Sequence, residues 1–290
     1  MPELPEVETI RVQLEPELVG RRIERLDVLD GRWSRPLPPQ ELAAPVAGRS
    51  IEGLERRGKY LLLRLDRDET LVMHLRMTGN LLLVEPGAPD QPYLRARFLL
   101  DDGRELRFTD PRRFGEAFLL GSAALDERFR GRLGVEPLSE EFTVAALEQV
   151  ATGSRAPLKS FLLDQARLAG VGNIYADEAL FRARLHPLSP AGSMRSEHVE
   201  ALRDGVVDAL RAGLAGGGAS IDDYRDARGE RGAMQDEFLV HTREGKPCLR
   251  CGETIRRIVV GGRSTYYCPG CQMRLRRRPR RRRARVAGDG

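Results

Sequence analysis

Cys248-x2-Cys251 and Cys268-x2-Cys271 stand sixteen residues apart near the end of a 290-residue chain that contains no other cysteine. Two such knuckles close one tetrahedral four-thiolate site only if the segment between them folds back on itself. Gly261-Gly262 sits where a hairpin between strands at 254–260 and 264–267 would turn. The spacing therefore predicts a zinc hairpin. With all four ligands supplied by protein, the single Zn2+ has no open coordination position and is structural. A redox pair or two disulfides is the weaker alternative, because four cysteines confined to one segment do not staple a chain of this length.

The rest of the composition narrows the class. Hydrophobic residues make up 41% and charged residues 31%. No apolar run approaches the ~20 residues of a transmembrane helix. The start, Met1-Pro2-Glu3-Leu4-Pro5-Glu6, is acidic and Pro-punctuated, unlike a signal peptide. A globular, cytoplasmic, monomeric protein away from membranes is expected. The net charge of +5 is misleading, since residues 274–290 hold nine Arg and one Asp, which leaves the other 273 residues at −3. Any nucleic-acid-binding face on the body must come from segregating charge to one side. Among the 48 basic residues only Lys59, Lys159 and Lys246 are lysines. In a chain that has drifted so far toward Arg, surviving lysines mark sites where a compact ammonium cannot become a planar guanidinium.

Hydrophobic spacing gives an amphipathic helix over 5–15, with Pro5 in its first turn and Pro16 ending or kinking it. Residues 21–135 read mostly as strands: 60–65, 70–84, 94–100, 105–109 and 117–120, with a hairpin turn at Asp101-Asp102-Gly103-Arg104. Short strands without alternating helices predict an antiparallel sandwich or barrel. Helical periodicity follows over 142–151, 156–167, 174–184 and 196–215. Residues 216–237, with five Gly and little apolar content, read as a long flexible loop. The expected division is 1–135, 136–243 containing that loop, 244–273 for the zinc hairpin, and a disordered Arg-rich tail at 274–290.

Three further motifs bear on chemistry. Gly170-Val171-Gly172-Asn173 lies between two helical patterns, where Asn173 is placed to cap the next helix and the exposed amides could hold a phosphate. An ordinary capped turn is the competing reading. Thr109-Asp110-Pro111-Arg112-Arg113-Phe114-Gly115 is either a solvated turn with one anchoring Phe or a wedge that fills a gap in a base stack. His74 and Met73 read as core residues. At the N-terminus, removal of Met1, favoured by the small Pro2, would leave a secondary amine able to condense with an aldehyde carbon to a cationic iminium. The positive end of the following helix and a nearby lysine would favour its neutral, nucleophilic form. Glu3 and Glu6 lie close enough in sequence to shuttle protons.

Taken together, Pro2-Glu3-Leu4-Pro5-Glu6-Val7-Glu8-Thr9, Arg57-Gly58-Lys59-Tyr60-Leu61, the 110–115 segment, Gly170–Tyr175 and the four-cysteine hairpin resemble, in matching order, bacterial formamidopyrimidine-DNA glycosylase. Leu4 favours the purine-lesion branch over endonuclease VIII relatives. The resemblance implies an α+β multidomain fold: an N-terminal antiparallel β-sandwich with an N-terminal helix, a helix–two-turn–helix domain and a zinc β-hairpin. It also implies a bifunctional glycosylase/AP lyase of base excision repair, acting on damaged double-stranded DNA. By motif match, Pro2 is the nucleophile, Glu3 the proton donor with Glu6 in support, and Lys59 the lyase-step proton donor and phosphate contact. Asn173 and Arg263 grip the flanking phosphates, with Lys159 in the same helical region. Met77, Arg112 and Phe114 fill the space left by the everted nucleotide.

The sequence departs from the family pattern at Gly232-Ala233-Met234-Gln235 in the lesion-covering loop and at His241-Thr242-Arg243 before the zinc region. These changes bear on base preference more than on catalysis. An oxidised-pyrimidine glycosylase with the same Pro2 chemistry and a non-catalytic DNA-binding relative are the alternatives. Lys246 has no assigned role. The Arg-rich tail is an addition to the family core and should raise nonspecific DNA affinity. Deleting residues 274–290 is expected to flatten the slope of log affinity against log salt, by roughly 0.9 for each phosphate that the tail neutralises. Fluorescence anisotropy on undamaged duplex across a salt series measures it, and an unchanged slope refutes it.

Overall fold

The computed structural model describes residues 1–221 and 223–276. The chain opens with α1 (Leu4–Leu18), which begins where Glu6 Oε2 accepts the Glu3 N–H at 2.8 Å. The helix runs through Pro16 rather than ending there. A proline this close to the last turn forfeits one hydrogen bond without displacing the residues that follow. Val7, Ile10, Leu14 and Leu18 form its buried face against the sandwich core, whereas Leu4 at its start belongs to the helical core. One helix thus joins both halves of the molecule.

Eight strands follow: β1 (Ile23–Val28), β2 (Ile51–Arg57), β3 (Tyr60–Leu65), β4 (Glu69–His74), β5 (Asn80–Val84), β6 (Leu94–Leu100), β7 (Glu105–Thr109) and β8 (Glu116–Gly121), with the short helix α2 (Pro39–Val46) between β1 and β2. They form two antiparallel four-stranded sheets in the orders β1-β6-β7-β5 and β2-β3-β4-β8. The expected sandwich is present. The Gly-punctuated apolar run over 70–84 is two strands in different sheets. Between them the chain turns at Gly79, whose N–H reaches the Leu75 carbonyl at 3.0 Å. A Cβ at 79 would lie 2.8 Å from the Phe108 ring, so only glycine lets the crossing pack this tightly. Trp33, 2% exposed, fills the space between sheets with Phe98 edge-on at 6.1 Å and Phe108 at 5.4 Å. β1, β2, α2 and a helix after β8, α3 (Ser122–Phe129), were not resolved by hydrophobic spacing.

The helical half comprises α4 (Val144–Ala151), α5 (Leu158–Leu163), α6 (Asn173–Arg182) and α7 (Ser196–Ala215). α4 is capped by Thr143, whose hydroxyl accepts the Ala146 N–H at 3.1 Å. The helix expected over 156–167 is shorter, because the carbonyl of Asp164 takes the N–H groups of Arg167 and Leu168 in a turn that leads to α6. α5, that turn and α6 make the helix–two-turn–helix. The segment 216–237 is not a free loop among the described residues: Tyr224 and Ala227 are buried in the sandwich core and Met234 in the helical core. The final hairpin pairs β9 (Arg256–Val260) with β10 (Arg263–Tyr267). Gly261 and Gly262, at φ 57° and 76°, supply the left-handed turn that a two-residue connection requires. The Arg-rich run beyond residue 276 lies outside the described residues.

No helix of the described residues is long and apolar enough to cross a membrane. Because Trp33 sits between the sheets with aromatic neighbours on two sides, Trp33→Ala is expected to lower the unfolding free energy by about 3–5 kcal/mol, measured by urea denaturation followed by circular dichroism.

Candidate active site

A cavity of roughly 540 Å³ opens where α1, the β2–β3 turn, the start of α6 and the zinc hairpin meet, lined by Met1, Glu3, Lys59, Asn173 and Arg263 among others. Glu3 is 1% exposed. Its carboxylate lies on the N-terminus of α6, accepting the N–H groups of Ile174 at 3.0 Å and Tyr175 at 3.4 Å. An anion there meets unpaired amides and the positive end of the helix dipole. A Cβ at Gly172 would overlap the Glu3 carboxyl, which explains the second glycine of the motif. Gly170, at φ 93°, brings its carbonyl to the Leu4 N–H at 3.1 Å. The amides read from sequence as a phosphate seat thus hold a protein carboxylate. Asn173 does not cap α6; its Nδ2 donates to the Ser264 carbonyl at 3.0 Å, tying the helix to the zinc hairpin beside Arg263.

Glu6 lies one turn along α1 and is also 1% exposed. Oε1 accepts the Tyr175 hydroxyl at 2.6 Å and the Ala219 N–H at 2.8 Å. Burial pushes its carboxyl above the usual range, and the neighbouring Glu3 adds to the effect against the opposing hydrogen bonds. Pro2, buried between Met1 and Glu3, carries an amide nitrogen while Met1 is attached. Met1 itself lines the cavity, so its removal would both bare the Pro2 nitrogen and clear space.

Lys59 sits in the β2–β3 turn, 7% exposed, after Gly58 at φ 59°. The turn is held from across the domain seam: Glu136 accepts the Gly58 N–H and pairs with Arg56 at 2.8 Å and Arg57 at 3.2 Å. Burial depresses the Lys59 ammonium below its ordinary value, Glu3 and Glu6 oppose that, and Arg263 reinforces it. His74, read as a core residue, stands on the cavity wall with Tyr60 edge-on at 4.6 Å. Its Nδ1 accepts the Arg76 N–H at 2.9 Å. Burial, then Arg76 and Lys59, push its pKa down to about 3.

Lys159, expected to serve DNA binding from the helical region, is not at the surface. Its side chain is fully buried, with Nζ 2.7 Å from Asp177 Oδ1 and donating to the Asn173 carbonyl at 2.6 Å. The ammonium lies beneath the helix start, out of contact with solvent, and burial lowers its pKa against the pull of Asp177. Asp177 Oδ2 is 2.8 Å from His241 Nδ1, so the departure at 241 completes a buried Lys–Asp–His chain.

Met77 is half-buried in the cavity lining. Arg112 and Phe114 are exposed on the adjoining loop, with the guanidinium 4.9 Å from the ring centroid. Asp110, fully buried, organises both segments. It accepts the Thr78 hydroxyl and the N–H groups of Arg112, Phe114 and Gly115 at 3.1, 2.8 and 2.7 Å. The two arginines of the motif, both exposed, divide by partner: Arg113 pairs with Asp30 at 2.8 Å, which holds that carboxyl down at about 2, and Arg112 lies over the Phe114 ring. Sequence reasoning singled out Asp110 only as part of a turn and Tyr175 only as the end of a motif, and missed Glu136 and Asp177. Their signal is tertiary.

The Sγ atoms of Cys248, Cys251, Cys268 and Cys271 lie within 4.8 Å of one another. Four soft thiolates converging on one point fit a tetrahedral zinc, and the hairpin they close carries Arg263. Three family profiles match in order: "Formamidopyrimidine-DNA glycosylase N-terminal domain" over residues 1–117, "Formamidopyrimidine-DNA glycosylase H2TH domain" over 133–225, and "Zinc finger found in FPG and IleRS" over 245–274. The formamidopyrimidine-DNA glycosylase of Roseiflexus sp. (strain RS-1) is 48% identical over 278 residues, 94% of this chain and all of the relative. That of Chloroflexus aggregans is 49% identical, covering 94% and 99%. A Lactococcus lactis FPG mutant in complex with Fapy-dG-containing DNA superposes with a TM-score of 0.87 at 34% identity, covering 94% and 100%. The MutM (FPG) protein from Thermus thermophilus gives 0.84 at 43%, covering 93% and 98%.

The depressed His74 pKa has a testable consequence. Between its folded value of about 3 and its ordinary value of 6.5 the unfolded chain binds a proton that the folded chain does not, so stability falls as pH drops through that window. His74→Gln is expected to make the stability profile shallower between pH 6.5 and 3, measured by urea denaturation at stepped pH.

Proposed function

This chain belongs to the formamidopyrimidine-DNA glycosylase family, a base-excision DNA glycosylase/AP lyase family, and we propose from that premise that its cavity excises oxidised purines through a Pro2 Schiff base. The supporting observation is that Glu3, Lys59 and Arg263 line one cavity with Met1, the residue whose removal would bare the Pro2 nitrogen. The damaged nucleotide is everted into the cavity because C1′ is unreachable inside the duplex, at a cost of roughly a few kcal/mol. With Met1 removed, the Pro2 lone pair attacks C1′, the base departs with the bonding pair of the glycosidic bond, and Glu3 protonates the ring oxygen as the sugar opens. The resulting iminium draws electrons from the C2′–H bond; loss of that proton expels the 3′-phosphate, and a second elimination expels the 5′-phosphate. Lys59 supplies the proton in the lyase step and contacts a phosphate, and Arg263 and Asn173 grip the flanking phosphates.

Glu6 acts through Glu3 and the loop, since its oxygens are taken by Tyr175, Ala219 and the Glu3 N–H. Lys159 acts beneath the surface, steadying Asn173 through its carbonyl. Met77, Arg112 and Phe114 fill the vacated stack; the exposed cation–aromatic pair 112/114 suits that insertion. Zinc, held by the four cysteines, supplies no chemistry and fixes the hairpin. The working units are 1–135, 136–243 and 244–273, acting as a monomer in the cytoplasm on damaged duplex DNA.

Borohydride reduction in the presence of an 8-oxoguanine duplex is expected to trap a covalent protein–DNA adduct with protein shown by intact mass to lack Met1. The adduct should vanish in Pro2→Gly and fall sharply in Glu3→Gln. Faster release of thymine glycol than of 8-oxoguanine would move the chain to the oxidised-pyrimidine branch, and absence of any adduct would favour a binding protein without catalysis.

A further inference from the structure

The segment after α7 crosses from the helical half onto the sandwich and returns, and it is fastened at both ends. On the sandwich side, Gln13 of α1 uses its whole amide: Nε2 donates to Asp226 Oδ2 at 2.7 Å and Oε1 accepts the Ala227 N–H at 3.0 Å. Asn80, at the start of β5, does the same, with Oδ1 accepting the Arg225 N–H at 2.8 Å and Nδ2 donating to the Asp223 carbonyl at 3.0 Å. The Leu83 N–H adds a bond to the Ala227 carbonyl at 3.0 Å. On the helical side, the Ala233 N–H reaches the Gly216 carbonyl at the end of α7 at 2.7 Å, Met234 is set in the helical core, and Glu6 of α1 accepts the Ala219 N–H at 2.8 Å. Between the two fastenings, Ala219, Ile221 and Asp223 line the cavity that Glu3 and Lys59 also line. Tyr224 and Ala227, 5% and 2% exposed, are set into the sandwich core.

We propose that Gln13 and Asn80 are positioning residues for base discrimination, clamping this segment so that Ala219, Ile221 and Asp223 are held in the wall of the base pocket before a lesion enters. The inference rests on the reading of the cavity as a base-excision site. A wall set in place in advance spends no binding energy on ordering the chain, and it meets every base with the same backbone groups. Because the clasp lies on the sandwich face and not among the reacting groups, it governs release of a base and not cleavage at a sugar that has already lost one.

The geometry supplies a reciprocal test. Asp226 Oδ1 accepts the N–H groups of Arg228 and Glu230, while Oδ2 meets Gln13. Gln13→Glu therefore sets two carboxylate oxygens against each other, and adding Asp226→Asn restores a donor opposite the new carboxylate without removing the Oδ1 acceptor. Single-turnover release of 8-oxoguanine by processed full-length protein is expected to slow about tenfold or more in Gln13→Glu and to recover to within about threefold in the double variant, in keeping with the sensitivity of a bound reactant to small misplacement. Strand cleavage at a preformed abasic site should stay within about twofold throughout. Asn80→Ala should reproduce the first effect by an independent route. Unchanged base release in Gln13→Glu, or equal slowing of both reactions, overturns the proposal. Failure of the unaltered protein to cleave the abasic duplex overturns the reading of the site itself.

Discussion

The Glu3 carboxylate on the first amides of α6 is the contact that makes the cavity possible. It comes from the residue that opens α1, and it lands on a helix of the other half of the molecule. A buried carboxylate is costly unless its lone pairs are filled, and a helix N-terminus fills them with donors that have no other partner. Gly172 is the steric condition, since no side chain fits between the helix start and the carboxyl. Gly170 is the conformational one, turning its carbonyl to the Leu4 N–H. Two glycines and one glutamate thereby fix the first residues of the chain against the helix–two-turn–helix, and Pro2 with them.

Once Glu3 is seated, the remaining charges follow. Glu6, a turn away and fully enclosed, meets both burial and a like charge, and each drives its pKa up. Tyr175 and Ala219 answer by donating to it. Lys59 arrives from the sandwich on a turn that Glu136 grips from the helical side, with Arg56 bridging Glu136 and Glu8. The placement of the ammonium therefore depends on both halves at once. Breaking such a partly enclosed network by removing one member leaves the others uncompensated, which costs more than any single surface pair contributes.

Much of this was legible in the chain and some was not, for identifiable reasons. The cysteine spacing and the run of short strands carried the zinc hairpin and the sandwich, because each is a local pattern with a local cause, whereas the helix–two-turn–helix came with the family resemblance. α2 and α3 escaped because neither carries a readable apolar period: α2 is broken by Pro39 and Pro45 and buries two residues, Leu42 and Val46, and α3 buries Leu125 alone. The apolar run over 70–84 shows its Gly turn in sequence, but not that the strands on either side enter different sheets, with Gly79 packed against Phe108. Residues 216–237 looked free because their composition is polar; what holds them is a set of amide and carboxylate contacts to residues some two hundred positions away. Composition reports how much apolar surface a segment can bury and says nothing of hydrogen bonds offered by a distant partner.

The lysines show composition and structure speaking to the same point. Lys59 and Lys159 are enclosed, whereas Lys246 is exposed beside the first cysteine. Lys159 is the sharper case. Its ammonium sits within bonding distance of Asp177 and the Asn173 carbonyl at once, under a helix whose neighbouring residues are themselves buried. A guanidinium is larger and planar and carries five N–H donors, so in that space some would remain unanswered and the helix would have to lift. Lifting it would move Asn173, and with it the bond to Ser264 that seats the zinc hairpin. A compact ammonium therefore suits position 159, where a guanidinium's further donors would go unanswered, whereas exposed Lys246 is under no such limit.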